Sequence, residues 1–368
     1  MKAPMSRLFR LFRLSRLFPA AFALAFAALS APALAWNAQG HQDVGAVADR
    51  LIVGSHAEQW VHYLLGDRNL QTVAVWADCA KGVKSADDVN FVYQDNPKYV
   101  ECAPFSNPED KARFESFVSR NWKQCGSAHD GEFCHSQYHY TDVSNLRDRY
   151  TANEAGTNSH DVVHSINAAI AVLRDQTPAQ PFSITDKREA LMLLAHYVGD
   201  IHQPLHVTAI YLNADGNVVD PDKDGVKLGQ ETAGGNFIID GKKLFHSEWD
   251  TPPADLLVDG APLPNLVKLA AATPATSGAL DTWSTAWATD SIKLAPQVFG
   301  GLHYSMRPAQ TADVEHSPEK WDVSGIDADY TSRTEQIKFH QIAKAGARLA
   351  QLLKAIWPND QPLPPTGK

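Results

Sequence analysis

The sequence predicts a mainly α-helical domain with long polar loops and one short β-hairpin. Apolar residues recur at helical spacing in residues 44–51, 162–173 and 342–356. Residues 188–201 are apolar on nearly every face, so we expect this helix to be central. Strand signals are few, and the clearest is GGNFIID followed by GKKLFH at 234–246, which is typical of a hairpin.

Two segments, residues 80–135 and 208–236, are predicted to be long polar loops. Loops of that length are either functional or fixed by other contacts. The sequence shows no linker, repeat or low-complexity run within residues 36–357, which are therefore predicted to form one domain. The proline-rich end PNDQPLPPTGK, residues 358–368, is predicted to be a flexible tail.

The first 35 residues are typical of an export signal. Five cations and no acidic residue precede an apolar run at 17–29, and Ala33-Leu34-Ala35 provides the small residues that signal peptidase needs. The run is too short to span a membrane comfortably, and no later segment is long enough. We therefore expect a periplasmic or extracellular protein without a membrane span, in which cleavage after Ala35 makes Trp36 the N-terminus. The alternative is a retained N-terminal anchor.

The part that follows the signal is acidic and contains all four cysteines. The formal charge is −9, or −14 without the five signal cations, so polyanions would be repelled unless something else reverses the local field. An even number of cysteines in an oxidising compartment favours two disulfides, and the absence of a CxxC pair disfavours a cysteine–zinc site. Three pairings remain open among Cys79, Cys102, Cys125 and Cys134.

The central helix carries ionisable side chains where core residues are expected. In LLAHYVGDIHQPLH, residues 193–206, His196 and Asp200 are four residues apart and therefore share one face. Pro204 ends the helix, and His206 follows two residues later. A hydrogen-bonded core histidine would explain any one of these positions alone.

Four further segments, WNAQGH, WAD, HYTDV and FHSEWD, carry the same residue types. With the central helix they provide the candidate metal ligands Trp36, His41, Asp78, His139, His196, Asp200, His206, His246 and Asp250. Imidazole nitrogen and carboxylate oxygen are what Zn²⁺ takes in catalytic sites. Burying so many ionisable groups is very unfavourable without cations, and with cations each becomes a satisfied ligand. The pattern therefore predicts a metal centre.

In this order, the motifs resemble the trinuclear-zinc single-strand nucleases, the mung bean nuclease family, also called the nuclease S-one/P-one type. That family is related in fold to zinc-dependent phospholipase C, and the motifs cover residues 36–250. The resemblance implies a helical fold of this type and three Zn²⁺ per chain. It also implies cleavage of single-stranded DNA and RNA to 5′-phosphorylated products, with 3′-nucleotidase activity, by attack of a metal-bridging hydroxide. No stable protein partner is indicated, and we expect a monomer.

The resemblance also distributes the ligands. The first zinc would take Asp78, His139, His196 and Asp200. The second would take His206, His246 and Asp250. The third would take the amino nitrogen and carbonyl oxygen of Trp36, with His41 and Asp200. Three Zn²⁺ and three aspartates give this centre a charge of about +3, so its attraction for phosphate is local and should tolerate salt.

Three further residues receive roles from the resemblance. Asp142 would orient or help deprotonate the nucleophile, and Lys81 would steady charge on the phosphoryl oxygens. Tyr140 would stack on a nucleobase, which favours single strands because a duplex base must first be unstacked. The simpler alternatives are a solvated Lys81 and a Tyr140 that only packs the metal centre.

The sequence departs from the family pattern in two places. Gly241 and Pro252 stand where some members have the tyrosines of a second nucleotide pocket, so base preference is not implied. The segment DPDKDGVKLGQE, residues 220–231, matches a calcium-loop pattern, although Lys227 occupies an aliphatic position and the flanks do not resemble paired helices. The candidate Ca²⁺ ligands are Asp220, Asp222, Asp224 and Glu231. The alternative is an acidic solvated loop.

Two rival functions follow from the same residues. The first is a zinc-dependent phospholipase C, whose last ligand is typically Glu where this chain has Asp250. The second is a zinc-capture protein without catalysis, which leaves Lys81 and Asp142 unexplained. Capture sites also do not keep coordination positions open for a substrate.

Overall fold

The computed structural model describes residues 36–125, 132–225, 230–307 and 320–365. The predicted export signal, residues 1–35, lies outside the described residues, as do Lys227 and the end of the predicted tail. The described residues from 36 to 365 belong to one compact unit. Within the described ranges, no helix is both long and apolar enough to cross a membrane.

Helices dominate the described residues, which confirms the mainly α prediction. The α-helices are α1 Ala38–Ile52, α2 His56–Leu65, α3 Leu70–Val73, α4 Trp76–Ala80, α5 Pro108–Arg120, α6 Cys134–Gln137, α7 Val162–Leu173, α8 Lys187–Asp200, α9 Pro221–Asp224, α10 Phe245–Asp250, α11 Pro264–Ala271, α12 Trp283–Ile292, α13 Ala295–Phe299 and α14 Ala328–Ile356. Short 3₁₀ helices lie at Val100–Phe105, Pro204–His206, Ala233–Gly235 and Leu280–Thr282.

The central position of α8 is confirmed. Every residue from Glu189 to Asp200 is buried, and α8 packs against α1, α7 and α14. The Asp186 side chain accepts the Glu189 N–H and so caps the first turn of α8. Around this helix, α1 and α14 approach closely, because a Cβ atom at Gly346 would lie only 2.5 Å from the Val47 Cβ. Glycine at that position therefore lets the two helices meet.

The strands are short. They are β1 Val83–Lys84, β2 Val92–Tyr93, β3 Val143–Ser144, β4 Thr208–Ala209, β5 Ile238–Asp240, β6 Lys243–Leu244, β7 Leu257–Val258, β8 Ala261–Pro262, β9 His303–Met306 and β10 Trp321–Ser324. The predicted hairpin is present as the antiparallel pair β5–β6, with Ile239 opposite Leu244. It belongs to a four-stranded sheet, in the order β6-β5-β10-β9, in which β10 runs parallel to β5.

A two-stranded parallel pair brings two distant candidate segments together. Val143 of β3 lies opposite Thr208 of β4. Just before this pair, the Thr141 N–H donates to the His206 carbonyl at 2.9 Å. The HYTDV segment and the end of the HQPLH segment are therefore fixed side by side.

The predicted loop at 80–135 is wrong in one part, because α5 lies within it. This helix begins after Asn107, whose side chain accepts the Asp110 N–H, with Pro108 at its first position. Its buried apolar residues are only Phe114, Phe117 and Val118, so its many charged residues hide the helical periodicity.

The same segment takes part in two disulfides. Cys79 is bonded to Cys102, and Cys125 to Cys134. These bonds confirm the prediction of two disulfides and select one of the three pairings. The Cys79–Cys102 bond also ties this long segment to α4, the helix that carries Asp78.

Candidate metal centre

Three groups of histidine and aspartate side chains meet inside the protein, and in each group one nitrogen or oxygen atom per residue lies within 4.8 Å of the others. The groups are His41, His196 and Asp200; Asp78, His139 and His196; and His206, His246 and Asp250. The first two adjoin because they share His196. The structure thus brings together all eight side chains that the sequence motifs single out as candidate ligands.

Asp200, at the end of α8, joins the first two groups. Its Oδ1 atom lies 3.3 Å from the His41 Nε2 atom. Its Oδ2 atom lies 3.1 Å from the His139 Nδ1 and 3.4 Å from the His196 Nε2. The two oxygens of one carboxylate therefore face different groups.

Asp78 of α4 belongs to the second group. Its Oδ1 lies 3.7 Å from the His196 Nε2 and 3.9 Å from the His139 Nδ1. The same oxygen accepts a hydrogen bond from the Lys81 Nζ at 2.8 Å. Lys81, which follows α4 directly, is thereby held at the edge of this group.

The third group is built on α10. His246 and Asp250 share one face of that helix, with the His246 Nε2 3.4 Å from the Asp250 Oδ2. The His206 Nε2 lies 3.1 Å from the His246 Nε2. Gln203 donates from its Nε2 to the Asp250 Oδ1 at 2.7 Å and orients that carboxylate.

Three of the histidines have their ring orientation fixed by backbone carbonyls. Their Nδ1 atoms face carbonyl oxygens, in the pairs His196 with Ala74 at 2.6 Å, His206 with His139 at 3.0 Å and His246 with Gly234 at 2.7 Å. A carbonyl can only accept, so each Nδ1 must carry the proton. Each Nε2 therefore presents a lone pair to its group, as in metal-binding histidines.

Several buried polar atoms of these groups lack a hydrogen-bond partner among the described residues. They include both ring nitrogens of His41, the Nε2 of His139 and the Oδ1 of Asp200. Such atoms are costly to bury, and native proteins leave few of them. A donor set of imidazole nitrogens and carboxylate oxygens fits a divalent cation such as Zn²⁺.

The pKa values of these groups shift in the directions that burial dictates. Burial raises the pKa of Asp200 well above its ordinary value, and the nearby Asp78 raises it further. Burial lowers the pKa of His196 to about 4 and that of His41 well below its ordinary value. Without a cation the centre thus favours uncharged side chains, and a bound cation would favour the carboxylates instead.

The S1/P1 nuclease family model matches residues 36–358. This chain belongs to the S1/P1 nuclease family. The prediction from the sequence motifs is thereby confirmed at the level of the family, and the enzyme is a nuclease that hydrolyses phosphodiester bonds of nucleic acids. No curated protein matches the chain.

Trp36 of this nuclease is fully buried between the ends of α8 and α10. Its indole Nε1 donates to the Gly199 carbonyl at 3.0 Å. The N–H of Asn37 donates to the Asp250 carbonyl at 2.9 Å. Gly199 directly precedes Asp200 of the first group, and Asp250 belongs to the third group. Residue 36 therefore lies next to both groups.

Tyr140 and Asp142 follow the candidate ligand His139 closely in the chain. Asp142 is buried, its Oδ1 lacks a hydrogen-bond partner within the described ranges, and its carbonyl accepts the Tyr211 hydroxyl at 2.8 Å. Burial and the neighbouring Glu231 raise the pKa of Asp142 well above its ordinary value. The Tyr140 hydroxyl donates to the Glu132 Oε2 at 2.6 Å. Sequence reasoning gave Glu132 no role, because it has no motif position or periodicity.

In the calcium-loop segment, residues 220–231, two of the candidate Ca²⁺ ligands form ion pairs with an arginine of the same chain. The Arg147 guanidinium binds Asp220 and Asp222, and the Arg147 Nη2 lies 2.6 Å from the Asp222 Oδ2. Glu231 instead stands beside Asp142. The short helix α9 also lies within the loop rather than beside it. Calcium binding by residues 220–231 therefore stays a prediction.

Proposed function

We propose that this nuclease binds three zinc ions and cleaves single-stranded DNA and RNA to 5′-phosphorylated products. We further propose that it removes the phosphate of 3′-nucleotides. The observation that supports the proposal best is the meeting of three buried histidine and aspartate groups in a member of a nuclease family. Their unpartnered atoms and fixed ring orientations fit bound cations.

In this proposal the ligands are divided as the resemblance implies. The first zinc takes Asp78, His139, His196 and Asp200. The second takes His206, His246 and Asp250. The third takes the amino nitrogen and carbonyl oxygen of Trp36, with His41 and Asp200. Trp36 is buried beside the group of His41, His196 and Asp200 and the group of His206, His246 and Asp250. This position supports the use of a processed N-terminus.

When bound, the zinc ions would supply a water of lowered pKa and positive charge for the phosphate oxygens. Asp142 would accept a hydrogen bond from the attacking water at its unpartnered Oδ1, which fixes the direction of attack. Lys81 would pair with a phosphoryl oxygen, and its bond to Asp78 keeps its Nζ at the edge of the second group.

Tyr140 would hold a nucleobase by stacking. Aromatic stacking is tolerant of sequence and suits bases that are already exposed, so it favours single strands. In a duplex the target base must first be unstacked. The net negative charge of the chain also confines phosphate binding to the metal centre rather than to a basic surface.

We propose the same processing and compartment that the sequence implies. Residues 1–35 would be removed on export, leaving a nuclease domain at 36–357, a flexible tail at 358–368 and a periplasmic or extracellular monomer. The two disulfides support an oxidising compartment.

The deciding experiment combines elemental analysis of the processed protein with activity assays. Single-stranded DNA, RNA, a 3′-nucleotide and phosphatidylcholine would be assayed before and after chelation. We expect three zinc ions per chain, loss of all nuclease activity on chelation and recovery with Zn²⁺. Fewer than two ions per chain, activity without metal, or turnover of phospholipid alone would contradict the proposal.

A further inference from the structure

The Tyr140 side chain is held at its hydroxyl, and the backbone of Tyr140 is held at its carbonyl. Its hydroxyl donates to the Glu132 Oε2 at 2.6 Å, which is a short bond to a charged acceptor. Its carbonyl accepts the Val162 N–H, at the start of α7, at 3.2 Å. The ring is therefore held at its hydroxyl end and the backbone at its carbonyl, and the preceding residue, His139, lies in the candidate metal centre.

Glu132 is itself anchored by a buried amide and a disulfide. Gln137 is 5 % exposed, and its side-chain Nε2 donates to the Glu132 carbonyl at 2.9 Å. The same Nε2 lies 3.3 Å from the Sγ of Cys125, which is bonded to Cys134, two residues after Glu132. The backbone of Glu132 is thus held where its carboxylate meets Tyr140.

We propose that Glu132 is a positioning residue for substrate binding, which holds the Tyr140 ring in the plane on which a nucleobase stacks. The inference rests on the proposed function, because it takes Tyr140 as the stacking surface. A ring that is already ordered loses less rotational freedom when the base binds. Glu132 acts through Tyr140, and no step of the reaction is assigned to it.

The negative charge of Glu132 makes it possible to separate this positioning role from an effect of charge alone. Removal of a negative side chain near a polyanion would, by charge alone, strengthen substrate binding. Loss of ring positioning weakens it. The direction of the change in KM therefore distinguishes the two effects.

A double-mutant cycle tests the inference. Values of kcat and KM would be measured on a single-stranded oligonucleotide for the zinc-loaded wild type, Glu132→Ala, Tyr140→Phe and the double variant. Each single variant should raise KM about three- to ten-fold, with a smaller change in kcat. The double variant should not exceed either single variant, because both remove the same bond.

Two further variants sharpen the result. Glu132→Gln keeps an acceptor oxygen for the Tyr140 hydroxyl and should restore most of the loss. Glu335→Ala, at an exposed position of α14, removes the same charge outside the Tyr140–Glu132 pair and should leave KM at the wild-type value. If Glu132→Ala fails to fold, comparison of KM in Tyr140→Phe and Glu132→Gln with the wild-type value still tests the inference.

Three results would overturn the inference. The first is an unchanged or lowered KM in Glu132→Ala while Tyr140→Ala raises it, which leaves stacking intact without a role for Glu132. The second is additivity in the double variant. The third is an unchanged KM in Tyr140→Ala, which removes Tyr140 as a stacking surface. An inactive, fully zinc-loaded wild type would instead count against the proposed function itself.

Discussion

Single residues of this nuclease have roles that their local sequence only partly predicts. The spacing of four residues places His196 with Asp200, and His246 with Asp250, without any knowledge of the fold. The meeting of His41 with Asp200 depends on how α1 packs against α8, which spacing does not reveal. Gln203 was missed because glutamine in a polar turn carries no signal of its own, although it orients Asp250.

Asp200→Asn should remove most of the activity. The substitution keeps the shape of the side chain but takes away the charge that the first two groups share. Loss of even an outer partner of a metal site typically costs 10- to 100-fold, so we expect a fall of more than about 100-fold together with reduced zinc content. Elemental analysis and single-strand cleavage measure both.

The exposed Asp148 provides a control for that variant. The Asp148→Asn substitution removes one exposed carboxylate and should leave zinc content and activity at wild-type values. Full activity in Asp200→Asn with all zinc retained would contradict the assignment of Asp200.

Gln203→Ala should weaken metal binding in the third group alone. The Asp250 carboxylate would lose its 2.7 Å hydrogen bond and its fixed orientation, which we expect to lower zinc affinity about 10- to 100-fold. Competition with a chelator of known affinity measures the change. Equal affinity in wild type and variant would show that the bond does not orient a ligand.

At the scale of the elements, the apolar helices were predictable and the charged ones were not. Helix α8 is buried on all sides, so its position follows from composition. Helix α5 has few apolar residues, and the only signals of its start are Asn107 and Pro108. Strands β9 and β10 were missed because each has four residues and packs through contacts distant in sequence.

The first turn of α7 offers a pH-dependent contribution to stability. Asp161 caps the helix, and its Oδ1 lies 2.8 Å from the His164 Nδ1, which raises the pKa of His164. A raised pKa means that this stabilisation is fully present below the unfolded value of about 6.5 and is lost as the pH rises through the folded value. Because His164 is half-exposed, we expect no more than about 0.5–1 kcal/mol.

His164→Gln tests that contribution. The free energy of unfolding of the variant should fall below that of wild type at pH 5.5, and the two should converge at pH 8.5. Denaturant titration at the two pH values measures the difference. A gap that is equal at both values would mean that the histidine charge plays no part.

At the scale of the whole molecule, residue 36 links the fold to the predicted processing of the chain. The family match begins at Trp36, where the sequence predicts signal cleavage. An amide at this position lacks the amine lone pair that the proposed third zinc needs. A protein extended by a few residues before Trp36 should therefore hold two zinc ions instead of three and be inactive.

Mass spectrometry of the intact chain, zinc analysis and single-strand cleavage would be compared for extended and processed protein. Removal of the extension with a specific protease should restore the third ion and the activity. An extended protein with full activity would refute a role for the N-terminus in the metal centre.

The two oxygens of the Asp200 carboxylate face different groups, which makes two of the proposed zinc positions interdependent. An ion that draws one oxygen into place also orients the other, so occupation of either position strengthens the second, by the reciprocity that governs linked equilibria. The position formed by His206, His246 and Asp250 shares none of those ligands. Gradual chelation should therefore strip the enzyme in unequal portions, with two ions departing as a pair and the remaining one on its own.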